Sequence, residues 1–205
     1  MPLALFPDGS GGVDAVGLQG QLAVFFIGHD GALYVAQAAG LEPWRGPERI
    51  TDRNIAPPGA NVVTAHQKSD QLNVLFIGRD GGLYVAWADD VPGQGWKGPV
   101  RITPPGVAPP GAALASVKQT GNLLDVFFVA NDGALNVSWV VDTGKWQGPV
   151  AISRPGLAPA GASSAAVHHQ SSDPSQLDVF VNGPERWVAW VLDTGKWNGP
   201  IALPN

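Results

Sequence analysis

A unit of about fifty residues is written four times along this chain, and that repeat restricts its fold more than any single residue does. The tetrapeptides Trp44-Arg45-Gly46-Pro47, Trp96-Lys97-Gly98-Pro99, Trp146-Gln147-Gly148-Pro149 and Trp197-Asn198-Gly199-Pro200 follow one another at steps of 52, 50 and 51 residues. A period of this length means one supersecondary unit that buries its apolar faces by stacking on its neighbours.

The rest of the unit keeps phase with the tryptophan. Val24-Phe25-Phe26, Val74-Leu75-Phe76, Val126-Phe127-Phe128 and Val179-Phe180-Val181 each stand about twenty residues ahead of it. Then come the turns Asp30-Gly31, Asp80-Gly81 and Asp132-Gly133, and the runs Leu33 to Gln37, Leu83 to Trp87 and Leu135 to Trp139. The fourth copy has Arg186 to Trp190 after a different turn, Asn182-Gly183-Pro184-Glu185, and a glutamine recurs at Gln19, Gln67, Gln119 and Gln170.

Within each unit the apolar signal has period two or forms a short run, never the three-four spacing of a helix, so the fold class is all-β. In the second copy the pattern predicts strands near Ala60 to Gln67, Leu72 to Gly78, Gly82 to Ala88 and Lys97 to Thr103, with a tight turn at Arg79-Asp80-Gly81. Segments such as Ala56-Pro57-Pro58-Gly59-Ala60 lack backbone donors at their prolines and read as connectors between sheets. Four-stranded antiparallel sheets repeated radially are the blades of a β-propeller; a β-sandwich would leave the fourfold repeat without a reason.

Residues 1–205 therefore read as a single β-propeller domain, with units at about 12–59, 60–111, 112–161 and 162–205. An extra strand and connector precede them over 1–11, because Pro2-Leu3-Ala4-Leu5 matches Pro149 to Ile152 and Pro200 to Leu203. A four-bladed ring within one chain is the favoured closure. The surplus strand leaves room for a homodimer, including a larger ring shared by two chains.

Composition excludes several classes. The 12 basic against 17 acidic residues give a net charge of −5 with no cationic run, which argues against nucleic acid as a partner. No apolar stretch reaches the roughly 20 residues of a membrane helix, so no membrane insertion is expected. With no cysteine, neither disulfides nor thiolate metal sites enter the reading. The opening residues lack the basic and apolar regions of a signal peptide, which predicts a cytoplasmic protein or one released by another route.

Seven of the 8 tryptophans fall into two columns, and the eighth, Trp187, belongs to a third. Trp44, Trp96, Trp146 and Trp197 recur in every unit and read first as wedges between twisted sheets. The second column, Gln37, Trp87, Trp139 and Trp190, sits three residues after Tyr34, Tyr84, Asn136 and Trp187, so alternation puts the two sets on opposite faces. An aromatic face suits the C–H face of a pyranose, while fixed polar groups suit its hydroxyl edge. The candidate carbohydrate-binding residues are accordingly Trp87, Trp139, Trp190, Tyr34, Tyr84, Asn136, Asp30, Asp80 and Asp132. Amides such as Gln67 and Gln119 could add polar contacts, and several weak sites would act together through avidity.

Taken together, the apolar strand, Asp-Gly-x-Leu-Tyr/Asn-Val and the later Trp-x-Gly-Pro over residues 12–203 resemble the β-propeller lectins, both the tectonin or tachylectin type and the bacterial fucose-binding type. The resemblance implies multivalent, metal-independent binding of glycans or glycoconjugates in shallow sites at or between blades, at most one per repeat, with no cofactor. Such lectins commonly have five to seven blades, and no sugar specificity carries over. Units one and four have diverged most, which predicts weaker sites there.

Other readings find less support among the residues. His66, Lys118 and His169 share a column with Leu18, and that is no metal-ligand set. Asp142-Thr143-Gly144-Lys145-Trp146 and Asp193-Thr194-Gly195-Lys196-Trp197 approach the Asp box of sialidase propellers but read as β-turns. No catalytic motif is present, so no catalytic or metal-binding residues are assigned and the chain is read as a non-enzyme. The alternatives are a protein-binding propeller scaffold or targeting module, and a hydrolase with a site on the propeller axis.

Overall fold

The computed structural model describes residues 12–18, 21–68, 70–89, 95–119, 121–142, 144–169 and 174–204. Among them the chain forms four antiparallel sheets of four strands, one per repeat, and no helix. The first sheet comprises β1 (Val13–Leu18), β2 (Gln21–Ile27), β3 (Leu33–Ala39) and β4 (Arg45–Arg49). The second holds β5 (Val62–Lys68), β6 (Gln71–Ile77), β7 (Leu83–Asp89) and β8 (Lys97–Arg101). The third has β9 (Ala115–Lys118), β10 (Leu123–Val129), β11 (Leu135–Val141) and β12 (Gln147–Ala151). In the fourth are β13 (Ser164–His169), β14 (Gln176–Asn182), β15 (Arg186–Leu192) and β16 (Asn198–Ala202).

Strand order within every sheet follows the chain, as expected for a propeller blade. The strands of the second unit end within a few residues of their predicted limits. They are shortened where a backbone group bonds a loop instead of the ladder: the Ala60 N–H donates to the Pro57 carbonyl (3.0 Å), and the Gly82 N–H to the Asp80 carboxylate (2.9 Å).

The Pro-Gly segments are connectors, and they also clamp the turns. The Gly81 N–H closes the β6–β7 turn on the Gly78 carbonyl (3.0 Å), with Gly81 at φ +75°. The following connector then binds this turn from outside, as the Ala108 N–H donates to the Gly81 carbonyl (3.1 Å) and the Gly106 N–H to the Asp80 carbonyl (2.8 Å). The preceding connector reaches the same turn through the Arg79 N–H and the Ile55 carbonyl (2.9 Å). Consecutive sheets are thus tied together at this end by backbone hydrogen bonds as well as by packing.

Three apolar clusters fill the spaces between consecutive sheets. Phe25 and Ile27 of the first sheet meet Leu72, Val74 and Phe76 of the second. Leu75 and Val85 meet Leu124, Val126 and Phe128, and Phe127 and Val137 meet Leu177, Val179 and Val191. Covered on both faces, β6 and β10 are buried almost from end to end, which explains their unbroken apolar sequences.

The inner strands touch in the order β1, β5, β9, β13, and among the described residues no comparable contact joins the fourth sheet to the first. The favoured closure within four sheets is therefore not the packing observed. Leu22 is 55% exposed although its counterpart Leu72 is 1% exposed, and Trp44 is 55% exposed although Trp96, Trp146 and Trp197 pack on preceding sheets. On the far side Phe180 is 37% exposed, while Phe25, Leu75 and Phe127 are fully buried. The reason lies in the period itself, which specifies how each sheet packs on the next but not how many sheets complete a turn. The surplus strand Pro2 to Leu5 lies outside the described residues, as do Gln19 and Gln170.

Candidate functional site

Two clefts of the same construction open between sheets. One, of about 400 Å³, lies between the second and third sheets, where Trp87 on β7 faces Trp146 ahead of β12. The other, of about 410 Å³, lies between the third and fourth sheets, where Trp139 on β11 faces Trp197 ahead of β16. Each therefore takes one tryptophan from each column of the repeat. Local backbone makes the inner tryptophan fit: opposite Trp87 the β7–β8 register slips, and Gly98 at φ +86° brings its backbone against the indole, where an added Cβ would stand 3.2 Å from the ring.

The outer tryptophans retain their wedge role while lining the clefts. Trp197 meets Phe127 edge-on at 5.6 Å, and Trp96 meets Phe25 in the same way at 5.3 Å between the first two sheets. Such pairs fix the outer ring against the neighbouring core.

Polar side chains lie beneath the aromatic walls. Asn73 pairs across the ladder with Trp87, and Asp125 pairs with Trp139, so each polar group shares a sheet face with its tryptophan. In the first cleft the Asn73 amide donates to Gln67 Oε1 at 2.8 Å, leaving the buried Gln67 Nε2 without a partner. In the second, Gln119 Nε2 instead crosses to the Asp193 carbonyl in the β15–β16 turn, and the buried Asp125 Oδ2 has no partner. Burial alone pushes the Asp125 carboxyl up to about 7. At the rim of the first cleft, Asp89 is held below the usual carboxylate range, chiefly by its hydrogen bond from Lys97.

The sequence-predicted residues divide into two groups. Trp87 and Trp139 stand in the clefts, while Trp190 pairs with Asp178 on the fourth sheet, which no following sheet covers among the described residues. Asp30, Asp80, Tyr34 and Tyr84 gather at the β2–β3 and β6–β7 turns, in an intramolecular network. The Tyr84 hydroxyl donates to Asp80 Oδ2 at 3.0 Å, Arg101 donates to the same oxygen at 2.9 Å, and the Asp30 group repeats the arrangement with Tyr34 and Arg53 at 3.0 and 3.1 Å. Burial would raise Asp80, but the bonds from the Gly82 N–H, Arg101 and Tyr84 together hold it below the ordinary carboxylate range. Tyr84 stacks on Phe76 at 5.7 Å in the cluster facing the first sheet, and Trp87 packs toward the third, so the two columns do occupy opposite faces.

Asp132 accepts from its own turn, at the Ala134 N–H (2.9 Å), and the Asn136 amide donates to the Ala134 carbonyl (3.1 Å). His66 reaches the Gly17 carbonyl at 2.9 Å and His169 pairs with Asp178 at 3.3 Å; neither lines a cleft described above. The Asp box-like segments are turns, closed by the Gly144 N–H on Val141 and the Gly195 N–H on Leu192, each at 3.0 Å. What sequence reading passed over is the pair Asn73 and Asp125. Their signal is a polar residue within an otherwise apolar run, Leu72-Asn73-Val74 and Leu124-Asp125-Val126, where burial of an uncompensated polar group needs a reason.

No protein-family model and no curated protein matches the chain. Among solved structures, the BP39L lectin from Burkholderia pseudomallei is 41% identical, superposes with a TM-score of 0.91, and is matched over 98% of this chain and 57% of its own. The present chain thus spans little more than half of that protein. SapL1, a lectin solved in complex with α-methyl fucoside, is 18% identical over 91% of this chain and 60% of its own, with a TM-score of 0.66. A polysaccharide lyase, an ulvan lyase, is 14% identical over 93% and 55%, with a TM-score of 0.54, so at that distance the likeness is one of fold and carries no chemistry. The resemblance to β-propeller lectins carried by the repeat motifs is therefore found again in three dimensions, along nearly the whole of this chain.

Proposed function

We propose that this chain is a carbohydrate-binding module whose sites are the two inter-sheet clefts, and that it binds without turnover. The observation that carries the reading is the recurrence of one construction: two tryptophans from adjacent sheets over a buried polar group, at equivalent places in two sheet pairs. Stacking of a pyranose C–H face on an indole supplies apolar contact, and a buried group lacking a partner supplies a directional hydrogen bond. The 41% identity to a bacterial lectin supports the same class of ligand. The four sheets are read as consecutive blades of a propeller. Its turn is completed by further sheets over the outward faces of the first and fourth, a second copy of the chain being one source.

The test is a glycan array, followed by competition with free sugars in the presence and absence of a chelator. Binding that a simple sugar reverses and a chelator leaves intact is expected. Replacing Trp87 and Trp139 together by Phe should weaken binding at least tenfold, about 1.4 kcal/mol, while the fold is retained. Retention on the array that no free sugar displaces would refute the reading and favour a protein-binding scaffold.

A further inference from the structure

The two clefts share their aromatic walls but differ in their polar floors, and the difference is one of hydrogen-bond sense. Positions 73 and 125 are equivalent in the repeat, each pairing across the ladder with the inner tryptophan, yet one is Asn and the other Asp. Between the second and third sheets Asn73 and Gln67, 3% and 4% exposed, satisfy one another and leave a donor, Gln67 Nε2. Between the third and fourth sheets Gln119 is turned away to the Asp193 carbonyl, which leaves an acceptor, Oδ2 of Asp125, itself 5% exposed. A buried polar group without a partner costs about 1–3 kcal/mol, more if charged, so each cleft gains most from the ligand group that completes its own floor.

We propose that the two clefts select opposite ligand groups: the one floored by Gln67 and Asn73 takes a sugar acceptor oxygen, and the one floored by Asp125 takes a sugar donor, a hydroxyl or an ammonium. This deepens the carbohydrate-binding reading and rests on it. Asp125 is the one titratable side chain lining its cleft among the described residues. The charged or titratable groups on the elements packed against β10 are Lys118 on β9, His66 and Lys68 on β5, and His168 and His169 on β13, with none on β11. Asp193 of the β15–β16 turn meets the cleft only through its backbone carbonyl, held by Gln119. No cation in this set offsets the burial of Asp125, whose carboxyl stays protonated up to about pH 7. A ligand donor favours the ionised form through a charge-assisted bond, so occupancy of this cleft strengthens as pH rises through that value. The amide-floored cleft has no titrating floor group to give it that response.

The experiment labels the protein with 5-fluorotryptophan and follows the ¹⁹F signals of Trp87 and Trp139, assigned by the single Phe variants. The probes are methyl α-fucoside for hydroxyl donors, titrated between pH 5 and pH 9, and galactosamine for the ammonium, titrated between pH 5 and pH 7, where its amine keeps its proton. The expected result is a several-fold rise in affinity with pH at Trp139 and a flat profile at Trp87. Galactosamine should favour the Trp139 cleft. Asp125→Asn should flatten the Trp139 profile, and Asn73→Asp should confer the pH response on the Trp87 cleft. Binding at both tryptophans with the same pH profile in wild type and Asp125→Asn would overturn this inference while leaving the carbohydrate reading intact. No response of either tryptophan to these probes or to any glycan on the array would overturn both.

Discussion

At the scale of single residues, Asp125 makes stability depend on pH. Its carboxyl lies in an apolar stretch of β10, without a partner on Oδ2, and desolvation raises it from the ordinary 3.8 to about 7. The folded state therefore holds the proton after the unfolded chain has lost it. The resulting stabilisation is complete below about pH 3.8 and is lost progressively as pH rises through about 7. Asp125→Asn removes the ionisation and installs the residue that the second repeat carries at the same place. Thermal or urea unfolding should show the variant more stable by about 4 kcal/mol at pH 8 and nearly level with wild type at pH 4. A gap of the same size at both pH values would show that the carboxyl is not desolvated. The Asp80 cluster is the opposite case, since Tyr84 and Arg101 leave its carboxylate well partnered and its role is to hold a turn.

At the scale of elements, the turns separate backbone conformation from available space. Gly81 and Gly106 both have φ +75°, but a Cβ on Gly81 would stand 2.5 Å from the Ala108 carbonyl, whereas a Cβ on Gly106 would meet nothing within 4 Å. The first repeat already carries Asn54 with φ +62° at the place of Gly106, its N–H making the equivalent bond to the Asp30 carbonyl (2.9 Å). Gly106→Asn should therefore change stability by no more than about 0.5 kcal/mol, since asparagine tolerates the left-handed region. Gly81→Asn should cost about 2 kcal/mol or more through displacement of the connector. Equal losses on urea unfolding would mean that the connector does not clamp the turn. The pattern of the repeat marks Gly81 as a turn residue, but only the contact with the next connector makes it irreplaceable.

At the scale of the whole molecule, the sheets are equivalent in sequence but not in surroundings. Leu22 and Leu72 occupy the same position in successive repeats, one 55% exposed and the other 1% exposed. Leu72→Ala should cost about 3 kcal/mol, the usual penalty for a cavity in a packed interface, and Leu22→Ala less than about 0.5 kcal/mol. If Leu22→Ala proved equally damaging, and the loss scaled with protein concentration, a second copy would be covering the first sheet. Phe180 on the fourth sheet offers the same comparison with the fully buried Phe127.

The fourfold period, the alternation and the Pro-Gly punctuation were sufficient to determine the all-β class, four four-stranded units and strand limits to within a few residues. These are local properties, written again in each copy. The sequence also marked Trp87 and Trp139 by their recurrence, but it grouped them with Asp80, Tyr84, Asp132 and Asn136, because neighbours in a linear pattern need not share a face or an end of a sheet. Only the tertiary structure decided that Trp146 and Trp197 complete the clefts from the following sheets, and that Asn73 and Asp125 form their floors. It also decided which apolar faces are covered and which are not. Those outcomes depend on packing between units, which a repeat specifies as a rule of contact without specifying how many units take part.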